Sequence, residues 1–248
     1  THKTLCGPRG AVILTTSEEL ASKIDSAVFP GEQGGPHINS IAAKAVCFRL
    51  AMRDDFKRLM KRVIDNAKVL SSSLAREGLE IAYGGTETHL FLVDLRSVQS
   101  PTGVILTGEI ASRILDLCGI TLNKNTIAGD TNAAHPSGIR IGTTWVSQLG
   151  MGKEQMKTLA RIIARVLKSI RPFTYTETSG EVGRGKIPID VLKWARQEVD
   201  AVLGAADSGV KEARMMRKSG ASGKKMTGII EIRGDAERVR AFLQEAST

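Results

Sequence analysis

The residues around Lys3 have the composition of a reactive-lysine segment. Lys3 lies in the run Thr-His-Lys-Thr-Leu at residues 1–5, and Gly-Pro-Arg-Gly follows at residues 7–10. At a buried turn, desolvation and nearby cations lower the pKa of an amine, and the neutral amine is a nucleophile. An ordinary solvent-exposed lysine is the alternative that these residues alone leave open.

Two further features are suited to binding anions. Arg140 lies in a short apolar run, where its planar guanidinium can hold a carboxylate through two parallel hydrogen bonds. Its partner would be either a ligand or a carboxylate of the protein itself. Gly34 and Gly35 present backbone N–H groups without side chains, as phosphate-binding loops do, although ordinary turns have the same composition.

The elements that must position these residues alternate between helices and strands up to residue 172. This alternation predicts an α/β to α+β fold rather than a bundle or a sandwich. Residues 29–36 hold three glycines and two prolines, which predicts a loop. Helices are expected at 17–28, 38–52, 54–76, 108–118 and 153–170, and strands at 12–14, 79–83, 89–95, near 120 and at 139–141.

Beyond residue 172 the composition changes. Residues 174–225 are rich in Gly, Ser, Lys and Arg, which predicts a basic linker, interrupted by one amphipathic helix at 188–203. Residues 228–233 then read as a strand and 236–246 as a helix. A single strand and helix cannot bury a core, so this unit is an appendage or the start of another domain.

Composition limits the function classes. The chain has 248 residues, 42% hydrophobic and 25% charged, and no apolar stretch of eighteen residues, which indicates a soluble globular protein. A formal charge of +9 favours anionic partners, but aromatics are only 4%, so a solvated basic face is favoured over a nucleic-acid groove. Three widely spaced cysteines argue against a disulfide framework or a zinc site and favour the reducing cytoplasm.

Read together, four motifs resemble serine hydroxymethyltransferases. The first is Thr-His-Lys-Thr-Leu-x-Gly-Pro-Arg-Gly at residues 1–10. The others are Phe-Pro-Gly-x-Gln-Gly-Gly-Pro-His at 29–37 with Ile-Ala-Ala-Lys-Ala-Val at 41–46, Asn-Lys-Asn-Thr-Ile at 123–127, and Ser-Gly-Ile-Arg-Ile-Gly-Thr at 137–143. They occur in the family's order and spacing across residues 1–172. The resemblance implies the C-terminal part of a fold-type I pyridoxal-phosphate transferase.

The resemblance also implies roles for individual residues. Lys3 would hold pyridoxal phosphate as a Schiff base, with His2 beside it and Arg9 close to the cofactor and substrate. Gly34 and Gly35 would reach the cofactor phosphate of a partner subunit, so the active site would be shared in a homodimer or tetramer. Arg140 would bind the α-carboxylate of serine or glycine, and Asn125 the pterin ring of tetrahydrofolate. No metal, nucleic acid or membrane is expected as a partner.

The sequence also departs from the family. After Gly142 and Thr143, residues 144–150 replace the usual Pro-Ala-x-Thr-x-Arg-Gly run, and position 6 is Cys6. The family's N-terminal half, with the aspartate on the pyridine nitrogen, the ring-stacking histidine and the acid/base glutamate, does not occur in these 248 residues. The chain is therefore expected to begin inside a longer polypeptide and to be inactive alone.

A second resemblance covers the last residues. Lys-Met-Thr-Gly-Ile-Ile-Glu-Ile-Arg-Gly-Asp-Ala at 225–236, with Ala-Phe-Leu-Gln at 241–244, resembles the start of an aminomethyltransferase, the glycine-cleavage T-protein. The expected domains are then residues 1–78, the end of the cofactor-binding large domain; 79–172, a small α+β domain; 173–226, the linker; and 227–248, the start of the aminomethyltransferase-like domain.

These observations favour transfer of the hydroxymethyl carbon of serine to tetrahydrofolate. A folate-independent aldolase of the same fold, acting on β-hydroxy amino acids, remains an alternative. A non-catalytic scaffold whose basic residues 184–225 bind nucleic acid or an acidic partner is another, and a pseudoenzyme kept for assembly is a third.

Overall fold

A computed structural model describes residues 1–98, 103–177 and 180–207. Every described residue falls in one structural unit, Thr1–Lys211. The helices are α1 (Glu18–Ser26), α2 (Ile38–Ala51), α3 (Asp54–Arg76), α4 (Gly108–Leu117), α5 (Thr144–Gln148), α6 (Lys153–Ser169) and α7 (Ile189–Asp207). The strands are β1 (Glu80–Ile81), β2 (Leu90–Asp94), β3 (Asn123–Asn125), β4 (Gly138–Gly142), β5 (Arg171–Glu177) and β6 (Gly180–Lys186).

Four of the strands form an antiparallel sheet that fixes the position of Arg140. The strand order is β1-β2-β4-β3, so β4 lies between two neighbours. Arg140 is opposite Leu92 on β2 and opposite Asn123 on β3. The sheet therefore places two of the predicted motifs, 123–127 and 137–143, on adjacent strands.

The core includes residues of this sheet and of α3, α4, α6 and α7. β2 and β4 contribute Phe91, Val93, Ile139 and Ile141, and the same cluster includes Leu70 and Leu74 of α3. The apolar residues of α3, α4 and α6 recur at helical spacing, so each helix buries one face. α3 thus shares a core with the sheet, and the domain boundary expected at residue 78 separates two elements that pack together.

The segment that composition assigns to a linker is folded up to residue 207. β5 and β6 pair along seven residues each, and Gly185 faces Ile110, Ile114 and Ile170. α7 buries Val191, Ala195, Val199 and Val202 in the main core, and it is longer than the expected helix at 188–203. Residues 173–177 and 180–186 therefore form a packed ribbon where a linker is predicted, because small glycines let the ribbon approach α4 closely, whereas the helix predicted at 188–203 is confirmed by α7.

Other local predictions have mixed outcomes. The first helix begins at Glu18, one residue later than expected, and its N-cap Ser17 accepts a hydrogen bond from the backbone N–H of Leu20 at 3.3 Å. Residues 12–14 form no strand, and the predicted loop begins with a wide turn over Ala27–Glu32, in which Phe29 has extended backbone angles. The strand expected near residue 120 is β3, three residues later. The strand and helix predicted at 228–246 lie outside the described residues.

Within the described part of the chain, no helix is both long enough and apolar enough to cross a membrane.

Candidate functional site

The loop that carries Lys3 is closed by its own backbone. The Lys3 carbonyl accepts a hydrogen bond from the Cys6 N–H at 2.9 Å, and the Gly7 N–H donates to the Thr1 carbonyl at 3.0 Å. Cys6 has a φ of 59°, in the left-handed region that non-glycine residues rarely adopt. These bonds curl residues 1–7 into a tight turn, and the Lys3 side chain is exposed on it rather than buried as the sequence analysis expects for a reactive lysine.

The same loop packs against α2. The Cys47 thiol donates to the Leu5 carbonyl at 3.4 Å, and the Lys44 ammonium donates to the Ala11 carbonyl at 3.1 Å. A Cβ on Gly7 would lie 2.5 Å from Cys47 Sγ. Only glycine therefore permits this approach, which explains the Gly-Pro-Arg-Gly turn in structural terms.

One hydrogen bond joins the Lys3 loop to α5, which follows the Arg140 strand. The Gln148 side-chain amide donates to Cys6 Sγ. Burial raises the pKa of the Cys6 thiol, and the Gln148 hydrogen bond opposes that rise. The sequence analysis noted Cys6 only as a departure from the family, so its role in linking the two motifs is a finding of the structure.

α5 is itself fixed to the core by polar residues. The Thr143 hydroxyl donates to the Val63 carbonyl at 2.7 Å, and the Asn66 amide donates to Ser147 Oγ and to the Met151 carbonyl, each at 2.9 Å. All these side chains are buried. Sequence reasoning missed Asn66, although a polar residue on the apolar face of α3 was a visible signal.

Arg140 is half-buried on β4. Its guanidinium donates to Asn123 Oδ1 at 3.3 Å, and it forms no salt bridge with any described carboxylate. Most of its hydrogen-bonding capacity is thus free for a ligand. Asn125, two residues beyond Asn123 on the same strand, donates to the Thr126 carbonyl at 2.9 Å. Both asparagines lie in β3, beside the Arg140 strand.

A carboxylate shapes the connection between β3 and β4. Asp130 accepts hydrogen bonds from the Ile127 N–H and the Ser137 N–H, both at 2.9 Å, and from the Ser137 hydroxyl at 2.6 Å. The Ser137 side chain, followed by the two backbone donors, lowers the pKa of Asp130 to about 2. Asp130 therefore closes the loop that begins just after Asn125 and ends just before Arg140. The sequence analysis did not single it out.

Arg96, in the short turn after β2, supports this loop. Its Nε donates to both carboxylate oxygens of Asp94 at 3.0 Å, and Nη2 donates to the Ala128 carbonyl at 3.4 Å. The Arg96 hydrogen bonds lower the pKa of Asp94, which is buried. The loop that joins the Asn125 strand to the Arg140 strand is therefore held by Asp130 and by Arg96.

The structure brings the predicted site residues into separate groups. His2, Lys3 and Arg9 share the N-terminal loop, and Arg140 and Asn125 share the sheet. Gly34 and Gly35 lie in the segment before α2, where an added Cβ would meet nothing within 4 Å. No hydrogen bond or ion pair between described residues joins these two glycines to either group.

The Lys3 group fits a cofactor with an aldehyde. Such a cofactor needs an amine that no other group engages, and the Lys3 ammonium forms no hydrogen bond or ion pair with a described residue. The side chains of His2 and Arg9 are also exposed and unpaired within the described residues. Gly34 and Gly35 leave open space beside their backbone, as a phosphate requires.

Comparison with known families agrees with this geometry. The model of one family, serine hydroxymethyltransferase, matches residues 1–163. The match includes the Lys3 loop, the two glycines and the strands that carry Asn125 and Arg140. It ends within α6, before the β5–β6 ribbon and α7.

Proposed function

Because the chain belongs to the serine hydroxymethyltransferase family, we propose that it carries part of an active site that interconverts serine and glycine with tetrahydrofolate and methylenetetrahydrofolate. The main support is Arg140, a half-buried guanidinium on a central strand that has no carboxylate partner among the described residues. Its unused donors are arranged to hold the carboxylate of an amino-acid substrate through two parallel hydrogen bonds.

Pyridoxal phosphate, which members of this family use, supplies an electron-withdrawing ring that stabilises negative charge on the substrate Cα. Lys3 would hold the cofactor through its amine, with His2 and Arg9 beside it on the same loop. Gly34 and Gly35 would offer backbone N–H groups to the phosphate of the partner subunit in a homodimer or tetramer. This sharing explains why neither glycine contacts the Lys3 loop within one chain.

On the other side of the site, Arg140 would orient the substrate by its α-carboxylate. A bidentate contact fixes both the position and the rotation of a carboxylate, so the Cα bonds would be held at a constant angle to the cofactor. Asn125 would hold the pterin ring through one donor and one acceptor. Asp130 and Arg96 keep these two side chains on neighbouring strands.

We extend the proposal to groups outside the residues described above. The acid/base glutamate and the ring-binding aspartate and histidine would come from a preceding segment of the same polypeptide. Residues 227–248 would begin an aminomethyltransferase-like domain, on the strength of the motif at 225–236. Such a fusion would combine two folate-dependent reactions in a cytoplasmic protein.

The direct test is cleavage of serine by the polypeptide at its natural length, with and without tetrahydrofolate. Arg140→Lys is compared with Arg161→Lys, the same change at an exposed position on α6. We expect folate-dependent glycine formation, and a rise of about ten- to hundredfold in the KM for serine in Arg140→Lys only, because a paired hydrogen bond to a charged group is lost.

Two outcomes of this test would contradict the proposal. Equal rates without tetrahydrofolate, on serine or on β-hydroxy amino acids that resemble threonine, would favour the aldolase alternative. An unchanged KM in Arg140→Lys would remove Arg140 from the substrate site.

A further inference from the structure

The β5–β6 ribbon lies beyond the residues that match the family model, so family membership assigns it no role. One of its faces is turned toward the core. An added Cβ on Gly185 would lie 2.5 Å from Ile110 Cγ2, and one on Gly183 would lie 3.6 Å from Ile110 Cδ1. Pro172, opposite Gly185, is buried on the same side.

The opposite face carries cations and aromatic rings. Side chains alternate across a strand, so Arg171, Phe173 and Tyr175 lie on the face away from Pro172. The register places Lys186 opposite Arg171 and Arg184 opposite Phe173. Arg171, Tyr175, Arg184 and Lys186 are exposed, and Phe173 is half-exposed.

The rings and cations on this outer face are already arranged relative to one another. The ring centroids of Phe173 and Tyr175 are 6.3 Å apart at an angle of 29°. The Lys186 ammonium lies 4.9 Å from the Phe173 centroid, and the Arg184 guanidinium carbon 5.6 Å from that of Tyr175. Side chains held in this way lose less conformational freedom when a ligand arrives.

The charge on this face has one sign among the described side chains. Arg171, Arg184 and Lys186 are cationic, and none of the three forms a salt bridge with a described carboxylate. The whole chain has a formal charge of +9. A ligand that fits must therefore combine negative charges with flat rings that can stack.

We propose that the outer face of the β5–β6 ribbon binds single-stranded nucleic acid. Bases would stack on Phe173 and Tyr175, and phosphates would pair with Arg171, Arg184 and Lys186. Duplexes keep their bases stacked inside, and acidic peptides have few flat rings, so neither uses both features. The low overall aromatic content argued against such a groove, but the fold gathers two of the ten aromatic residues on one ribbon beside three cations.

RNA and DNA share the chemistry that this face recognises, so the test includes both. Fluorescence anisotropy of the full chain is measured with labelled 12-nucleotide oligouridylate, oligothymidylate and a 12-base-pair DNA duplex. We expect a single strand to bind at least about tenfold more tightly than the duplex. Three phosphate contacts predict a slope near −2 for log K against log salt, at about −0.7 for each contact.

The variants separate stacking from charge. Phe173→Leu and Tyr175→Leu keep apolar bulk but remove the flat ring, and each should weaken single-strand binding by about fivefold or more. Arg184→Gln should make the salt slope shallower by about 0.7. Lys61→Gln, which removes an equal charge from an exposed position on α3, should change neither value.

The basic residues beyond 207 provide the most important control, because they attract polyanions by charge alone. Lys224→Gln with Lys225→Gln should leave the preference for single strands intact. If those two changes abolish binding while Tyr175→Leu does not, or if the duplex binds as tightly as either single strand, the proposal is wrong. Failure of every probe to bind at 150 mM salt would also overturn it, and none of these results depends on pyridoxal phosphate.

Discussion

Residues 1–53 and residues 54–207 differ in how their side chains are held. In the first region the only buried apolar residue is Cys47, whereas the second contributes every other member of the core. Large apolar side chains are also exposed in the first region: Val12, Ile13, Leu14, Leu20, Val28, Phe29, Ile38, Ile41, Phe48, Leu50 and Met52. The second region fixes its site residues through its own packing, and the first fixes the Lys3 loop mainly through hydrogen bonds.

This difference separates the two halves of the candidate site. Arg140 and Asn125 lie on strands inside a packed sheet, so their positions follow from the core. The position of the Lys3 loop depends on its contact with α2 and on the hydrogen bond from Gln148 to Cys6. Contiguous exposed apolar surface on α2 is typical of an interface, which agrees with the oligomers that this family forms.

The largest contrast should appear when the same truncation is made in each region. Ile163→Ala removes a side chain that is 2% exposed in α6, and we expect a loss of about 2–5 kcal/mol in unfolding free energy. Ile41→Ala, at a residue that is 50% exposed in α2, should change it by less than about 0.5 kcal/mol. Urea unfolding followed by circular dichroism measures both, and equal losses would refute the contrast.

The next effect tests whether the ribbon belongs to the packed region. Gly185→Ala places a Cβ 2.5 Å from Ile110 Cγ2 and 2.9 Å from Ile114 Cδ1, so we expect a destabilisation of about 1–3 kcal/mol. Gly183→Ala makes only an ordinary contact at 3.6 Å and serves as the matched control. Thermal unfolding that is unchanged in both variants would show that the ribbon does not pack on α4.

A smaller effect concerns the loop between Asn125 and Arg140. The pKa of Asp130 is lowered from 3.8 to about 2, so its carboxylate stabilises the folded loop above pH 4, and that stabilisation is lost as the pH falls toward 2. Asp130→Asn should speed amide exchange at Ile127 and Ser137 at neutral pH and flatten this pH dependence. Asp200→Asn, at an exposed site on α7, should leave both unchanged; equal exchange in all three proteins would exclude the role of Asp130.

The smallest effect tests the hydrogen bond between the two regions. Gln148→Leu removes the contact that lowers the pKa of the Cys6 thiol, so that pKa should rise further. Alkylation of Cys6 by iodoacetamide should then slow by about two- to threefold, because the thiolate is the reactive form. Cys118, a buried free cysteine distant in sequence from Cys6, is the internal reference. Faster alkylation of Cys6 would show instead that Gln148 shields the sulfur.

Sequence reasoning located α3 and α6 closely because their periodic apolar residues coincide with the core. α3 and α6 begin and end within one residue of the expected bounds. The motifs likewise predict Lys3 and Arg140 as site residues. The hydrogen bond from Gln148 to Cys6 and the hydrogen bonds of Asp130 could not be predicted from the sequence. They depend on side-chain geometry that no local sequence pattern encodes.

The ribbon was missed for a different reason. Glycine and charged residues at 180–186 have the composition of a linker, but here the glycines form the packed face and the cations the exposed one. Amino-acid composition does not distinguish the residues on one face of a strand from those on the other. A reading at a period of two residues would have separated them.

The central claim is that Lys3 is the amine that holds pyridoxal phosphate. The polypeptide at its natural length is incubated with the cofactor, reduced with borohydride, digested and mapped by mass spectrometry. We predict a pyridoxyl group on Lys3 that is absent in Lys3→Arg and unchanged in Lys23→Arg, an exposed lysine of α1. A label on another lysine, with Lys3 unmodified, would contradict the account.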